Sequence, residues 1–111
     1  MDDMRLNSFM RAVHKTAREK GWYESQRTAL EMHALFHSEI GEATECVRKG
    51  EEHYWEDPKT GKPEGEAVEL ADCVIRIADY FAAKGWNFGV ILRKKMEYNT
   101  KRSYRHGGKK F

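Results

Sequence analysis

Proline occurs only twice in this chain of 111 residues, at Pro58 and Pro63, and the stretch from Glu56 to Pro63 that holds both is its clearest loop. Elsewhere little forbids helix. Cysteine is equally sparse: Cys46 and Cys73 fall in helix-patterned segments with no CxxC spacing, which argues for buried free thiols and against a disulfide framework or a zinc site. No apolar run approaches the roughly 18 residues of a membrane span. The start, Met1-Asp2-Asp3, lacks the basic residues and apolar stretch of a signal peptide, so a cytoplasmic protein with no membrane partner is expected. There is no internal repeat and no alternating run long enough for a sheet. The expected fold is all-α.

What is present fits one soluble, surface-rich domain over residues 1–111, large enough for a single core and small enough to gain from partner subunits. The mean hydropathy is −0.85. The net charge of +2 matters less than its distribution. Acids crowd the middle, whereas the segment from Arg93 to Lys110 carries Lys and Arg residues against the single acid Glu97. A basic end beside an acidic centre suits an anionic ligand.

Four helices are expected. The first spans about residues 6–20, with Leu6, Phe9, Met10, Val13 and Ala17 as its apolar stripe and Gly21 as its stop. The second spans about 28–49, where Thr28 and Glu31 have capping-box spacing and Gly50 ends the run. The third covers about 64–84 and ends at Gly85; the fourth covers about 90–101, followed by a basic tail over 102–111. The expected arrangement is of the four-helix bundle type.

Two carboxylate pairs stand out, Glu39 with Glu42 and Glu69 with Asp72, each at a spacing of three that places both acids on one helical face. In the second helix Met32, Phe36, Ile40, Ala43 and Val47 form an apolar stripe, and Glu39 and Glu42 lie on its flank while Ser38 and Glu45 turn away. In the third, apolar residues occupy most of the circumference and Glu69, Asp72, Arg76 and Asp79 share the one polar stripe. A helix so apolar must be buried on several sides, which in a short chain suggests a homo-oligomeric interface.

Four acids brought together need cations at neutral pH. Hard oxygen ligands suit magnesium, or manganese in its place, and such ions keep waters and bind phosphates. Glu39, Glu42, Glu69 and Asp72 are therefore the candidate metal ligands and catalytic acids. Lys95, Asn99 and Arg102 follow steps of four and three on the last helix and form a candidate phosphate-binding face. Considered separately, each acid pair is also an ordinary pattern of charged helices, and cations late in a helix commonly answer its dipole.

These segments carry a resemblance. Ser38-Glu39-Ile40-Gly41-Glu42-Ala43, then Glu66-Ala67-Val68-Glu69-Leu70-Ala71-Asp72, then Lys95-Met96-Glu97-Tyr98-Asn99-Thr100-Lys101-Arg102 resemble, in order and spacing, the signature segments of the MazG-like all-α nucleoside triphosphate pyrophosphatases. The ending Tyr104-Arg105-His106-Gly107-Gly108-Lys109-Lys110 is similar to small phage- or prophage-type members. The resemblance implies a helical bundle that forms a homodimer or homotetramer. It also implies magnesium-dependent cleavage of nucleoside triphosphates between the α and β phosphates, giving monophosphate and pyrophosphate. The same resemblance makes Glu39, Glu42, Glu69 and Asp72 metal ligands and Lys95, Asn99 and Arg102 triphosphate contacts. One position departs: the family's first segment usually opens with two adjacent glutamates, and the first of them is Ser38 here, so the residue that activates water is open.

Other features are less specific. His33 and His37 have zinc-pair spacing without a third ligand, and no glutamate stands three before any histidine, which removes the di-iron signature. Trp22-Tyr23 and His53-Tyr54-Trp55 offer stacking surfaces for a base, with the Pro/Gly loop as a movable pocket edge. The rival to a hydrolase is a non-catalytic helical module whose basic end grips nucleic acid or nucleotide. It accounts for the tail but not for the inward-leaning acids, which would repel nucleic acid, so nucleic acid is not an expected partner.

Overall fold

The computed structural model describes residues 2–102. The basic tail from residue 103 onward, with the ending that resembles small family members, lies outside them. The chain forms helix α1 (Asp3–Glu19), helix α2 (Ala29–Arg48), strands β1 (Trp55–Glu56) and β2 (Pro63–Glu64), helix α3 (Glu66–Lys84) and helix α4 (Phe88–Thr100). The all-α expectation is met in its main features, with one addition: a two-stranded antiparallel ribbon pairs Trp55 with Glu64 and Glu56 with Pro63.

Local chemistry explains the boundaries. Asp2 caps α1 by accepting from the Met4 and Arg5 amides, which starts the helix earlier than its apolar stripe suggests. Thr28 and Glu31 form the full capping box at α2. Asn87 accepts from the Val90 amide and starts α4 at Phe88, a turn fragment before the expected position. Gly85 ends α3 with a left-handed φ of 73°. The third helix begins two residues later than expected because Pro63 and Glu64 belong to the ribbon and Gly65, at φ 113°, turns the chain into α3. A Cβ at Gly65 would lie 2.5 Å from the His53 carbonyl oxygen, so only glycine fits.

Helix α3 is the spine: α1, α2 and α4 pack on it, and α1 and α4 pack on each other, whereas among the described residues α2 runs along α3 and no other helix. The main core lies on the α1/α4 side, where Met10, Ala78 and Phe88 are buried under Leu6, Val13, Phe81, Ala82 and Leu92. Edge-to-face contacts of Phe81 with Trp86 and Phe88 extend it. On the other side the Cys73 thiol reaches the Phe36 carbonyl oxygen, and Tyr80 packs edge-on to Phe36 and His33.

The expected stripe of α2 is covered only in part. Met32 and Ala43 are buried, but Ile40 and Val47 are 49% and 57% exposed, beside Leu70 and Val74 of α3. The near-continuous apolar surface of α3 is thus not fully covered by the described residues, and a groove lined by Ile40, Ala43, Val47 and Leu70 remains open. Full burial of each such side chain is worth about 1.5–3 kcal/mol. No helix among the described residues is long and apolar enough to cross a membrane.

Candidate functional site

The packing of α2 on α3 brings together three of the four expected acids. One carboxylate oxygen each from Glu39, Glu69 and Asp72 lies within 4.8 Å of the others. Glu39 is buried, at 7% exposure, and Glu69 and Asp72 are half-buried. The fourth acid, Glu42, is exposed one turn further along α2, yet it lies near enough to help raise the Glu69 pKa. Ser38 is exposed and contributes nothing to this group.

The two oxygens of Glu39 have different fates. Oε1 accepts from Arg76 Nε at 2.8 Å. Oε2 is buried and, among the described residues, has no hydrogen-bond partner. An orphaned, buried carboxylate oxygen carries a desolvation cost that a bound cation would remove. Burial is the first cause that holds the Glu69 carboxyl above its ordinary value, at about 7, and the neighbouring carboxylates of Glu42 and Glu39 add to it. Asp72 is raised as well, by burial and then by the charge of Glu39, with Arg76 and Lys62 opposing.

The donor set fits a hard divalent ion: three carboxylates from two helices, one buried oxygen with no partner, and a fourth acid at the margin. The site lies between two cavities. Asp72 and Arg76 open onto one of about 490 Å³ between α1 and α3, which Trp22, Lys20 and Val13 also line. Glu42 and Glu69 open onto one of about 250 Å³ bounded by Trp55, Cys46 and Glu64 near the ribbon. The cations near the acids are Arg76 and Lys62, whose Nζ lies 3.3 Å from Glu64 Oε1 at the ribbon.

Lys95 and Asn99 are exposed on α4 and Arg102 is exposed just past its end, with Lys95 and Arg102 beside the Tyr98 ring at 5.0 and 5.9 Å. Among the described residues no ion pair or hydrogen bond joins them to the acids. His33 packs against Phe36 and Tyr80, and His37 is exposed on the same helix. Trp55 donates to Glu51 at 3.2 Å and Tyr54 to Glu56 at 2.6 Å, both within the loop region.

Three participants carry weight that the sequence did not assign. Arg76 stood in the polar stripe of the third helix, and its position one turn after Asp72 was the available signal. Trp22 lies with its ring under two guanidinium groups, Arg27 at 4.0 Å and Arg76 at 4.7 Å, while Arg27 Nη1 donates to the Trp22 carbonyl oxygen at 2.6 Å. Asp79 is buried and bonded on both oxygens, by Tyr23 Oη at 2.6 Å and His14 Nδ1 at 2.8 Å. Burial, and the bond to Asp79, push the Tyr23 hydroxyl well above its usual range. This network ties the segment after α1, with Trp22 in it, to α3.

Comparison with protein-family models, with curated proteins and with solved structures finds no match to this chain.

Proposed function

We propose that the chain is a magnesium-dependent nucleoside triphosphate pyrophosphohydrolase, with manganese as a substitute, that cleaves between the α and β phosphates of ribo- or deoxynucleotides. The observation that carries this is the buried Oε2 of Glu39, without a partner in a group of three carboxylates drawn from two helices. Glu39, Glu69 and Asp72, with Glu42 at the margin, would hold the ion. An ion held there would supply charge neutralisation for phosphate and acidity for a water. The resemblance of the segments around residues 38–43, 66–72 and 95–102 to MazG-like pyrophosphatases supplies the scissile bond.

Glu69, raised by burial and by its acidic neighbours and open to the cavity near the ribbon, is the candidate for accepting the proton of the attacking water. It takes the place left open by Ser38. The exposed Ile40, Val47, Leu70 and Val74 support a homodimer or homotetramer, because a second copy laid over them would cover α2 on its bare side. Lys95, Asn99 and Arg102, all exposed, would contact the triphosphate. A cytoplasmic setting matches the two free cysteines and the nucleotide substrate.

Incubation with a panel of nucleoside triphosphates and magnesium, followed by separation of products, tests the activity. Monophosphate with pyrophosphate is the expected outcome. Diphosphate with phosphate, or no turnover of any nucleotide, defeats it.

A further inference from the structure

We propose that Arg76 grips a phosphate group of a polyphosphate ligand through its terminal Nη atoms, at the lip that the acid group shares with the cavity between α1 and α3. The proposal rests on the assignment of Glu39, Glu69 and Asp72 as metal ligands.

The guanidinium is only partly used within the protein. Its Nε donates to Glu39 Oε1, and among the described residues neither Nη atom has a hydrogen-bond partner. Arginine presents five N–H donors in one plane, so four remain in the fork geometry that suits a phosphate. A residue serving solely as counter-ion to Glu39 would gain most by engaging both carboxylate oxygens. Here it engages one and leaves Oε2 bare.

The fork is also held in place. The Trp22 ring lies 4.7 Å from the Arg76 guanidinium carbon, and Arg27 on the same ring fixes the indole through a 2.6 Å bond to the Trp22 carbonyl oxygen. A guanidinium stacked and pinned at Nε loses little further freedom on binding an anion. Location agrees with orientation. Arg76 stands one helical turn from Asp72, and both line the cavity of about 490 Å³, with Lys20 as a second cation in its wall. That volume lies within the range of small-molecule sites. Asp79, the other acid there, has both oxygens bonded, to His14 and Tyr23, so it does not compete with a ligand for the Arg76 Nη atoms.

The test measures two affinities on wild-type, R76K and R76M protein: Mn2+ by electron paramagnetic resonance without phosphate, and inorganic pyrophosphate by calorimetry in excess MgCl2. In R76M, pyrophosphate binding should weaken at least ten-fold while Mn2+ affinity changes less than three-fold. R76K, which keeps the charge and a partner for Glu39 but loses the fork, should weaken pyrophosphate several-fold, and it decides the matter if R76M does not fold. Parallel loss of Mn2+ and pyrophosphate would mean that Arg76 acts only by holding Glu39, and unaltered pyrophosphate affinity would mean that it does not touch phosphate. Either result overturns the proposal, as does a wild-type protein that binds no Mn2+. Arg76-dependent pyrophosphate binding in a protein that cleaves no nucleotide would instead remove the hydrolase and leave the arginine assignment standing.

Discussion

Arg76 Nε of α3 lies 2.8 Å from Glu39 Oε1 of α2, and among the described residues this is the only ion pair that joins those two helices. Its geometry fixes one carboxylate oxygen and frees the other. The docking of α2 on α3 therefore draws on one guanidinium.

Replacing that guanidinium by an apolar side chain, Arg76→Met, leaves the Glu39 charge buried without a partner. Breaking a buried pair costs about 3–5 kcal/mol, and because the Arg76 side chain is 27% exposed a loss of about 1–3 kcal/mol is expected in chelator. Chemical denaturation with and without MgCl2 checks this, with the deficit narrowing when magnesium is present. An unmoved midpoint in chelator would show that the pair contributes no net stability.

Glu42→Gln keeps size and removes a charge that presses on Glu69. Turnover should fall at least 100-fold, whereas the thermal midpoint in metal-free buffer should hold or rise as the repulsion is relieved. Undiminished activity would strike Glu42 from the essential residues.

Without metal, stability should fall as pH rises. Glu69 titrates near 7 in the folded chain, against about 4.3 for an unperturbed glutamate. The folded state thus binds a proton that the unfolded state has released, so this contribution is complete below about pH 4.3 and is lost as pH climbs through 7. Asp72, also raised, acts in the same direction. Thermal scans in chelator from pH 5 to 8 should show a declining midpoint, with about 4–8 °C for each kcal/mol lost. Magnesium should restore more at pH 8 than at pH 5, where protonated ligands compete with it. A midpoint that increases steadily over this window in chelator contradicts the placement of Glu69.

Gly65→Ala should cost about 2–4 kcal/mol, since the position has φ 113° and an added Cβ would lie 2.5 Å from the His53 carbonyl oxygen and 2.7 Å from that of Glu52. Denaturant midpoints report the loss, and near-wild-type stability would mean that the ribbon can shift away from the start of α3.

Much of this was legible because helices write their own periodicity and punctuation. Thr28 with Glu31 marked the start of α2, Gly85 marked the end of α3, and the flank on which Glu39 sits followed from the apolar stripe beside it. The ribbon at Trp55 and Glu64 was not legible, because two-residue strands carry no alternating pattern. Nor was the pairing of Arg76 with Glu39, which are 37 positions apart and meet only through the packing of α2 on α3. Asp79 stood in the same stripe as the site acids, yet it serves His14 and Tyr23, a division that spacing alone cannot make.

The one-sided attachment of α2 has a consequence for how a cation would be felt. A helix that leans on a single neighbour is the element expected to detach first in native-state fluctuations. Glu39 and Glu42 travel with it, while Glu69 and Asp72 stay with the spine. Any ion that bridges the two helices therefore acts as a fastener, and part of its affinity is spent on keeping α2 docked. Its arrival would be read in slowed amide exchange along α2, while the α1/α4 layer exchanged as before.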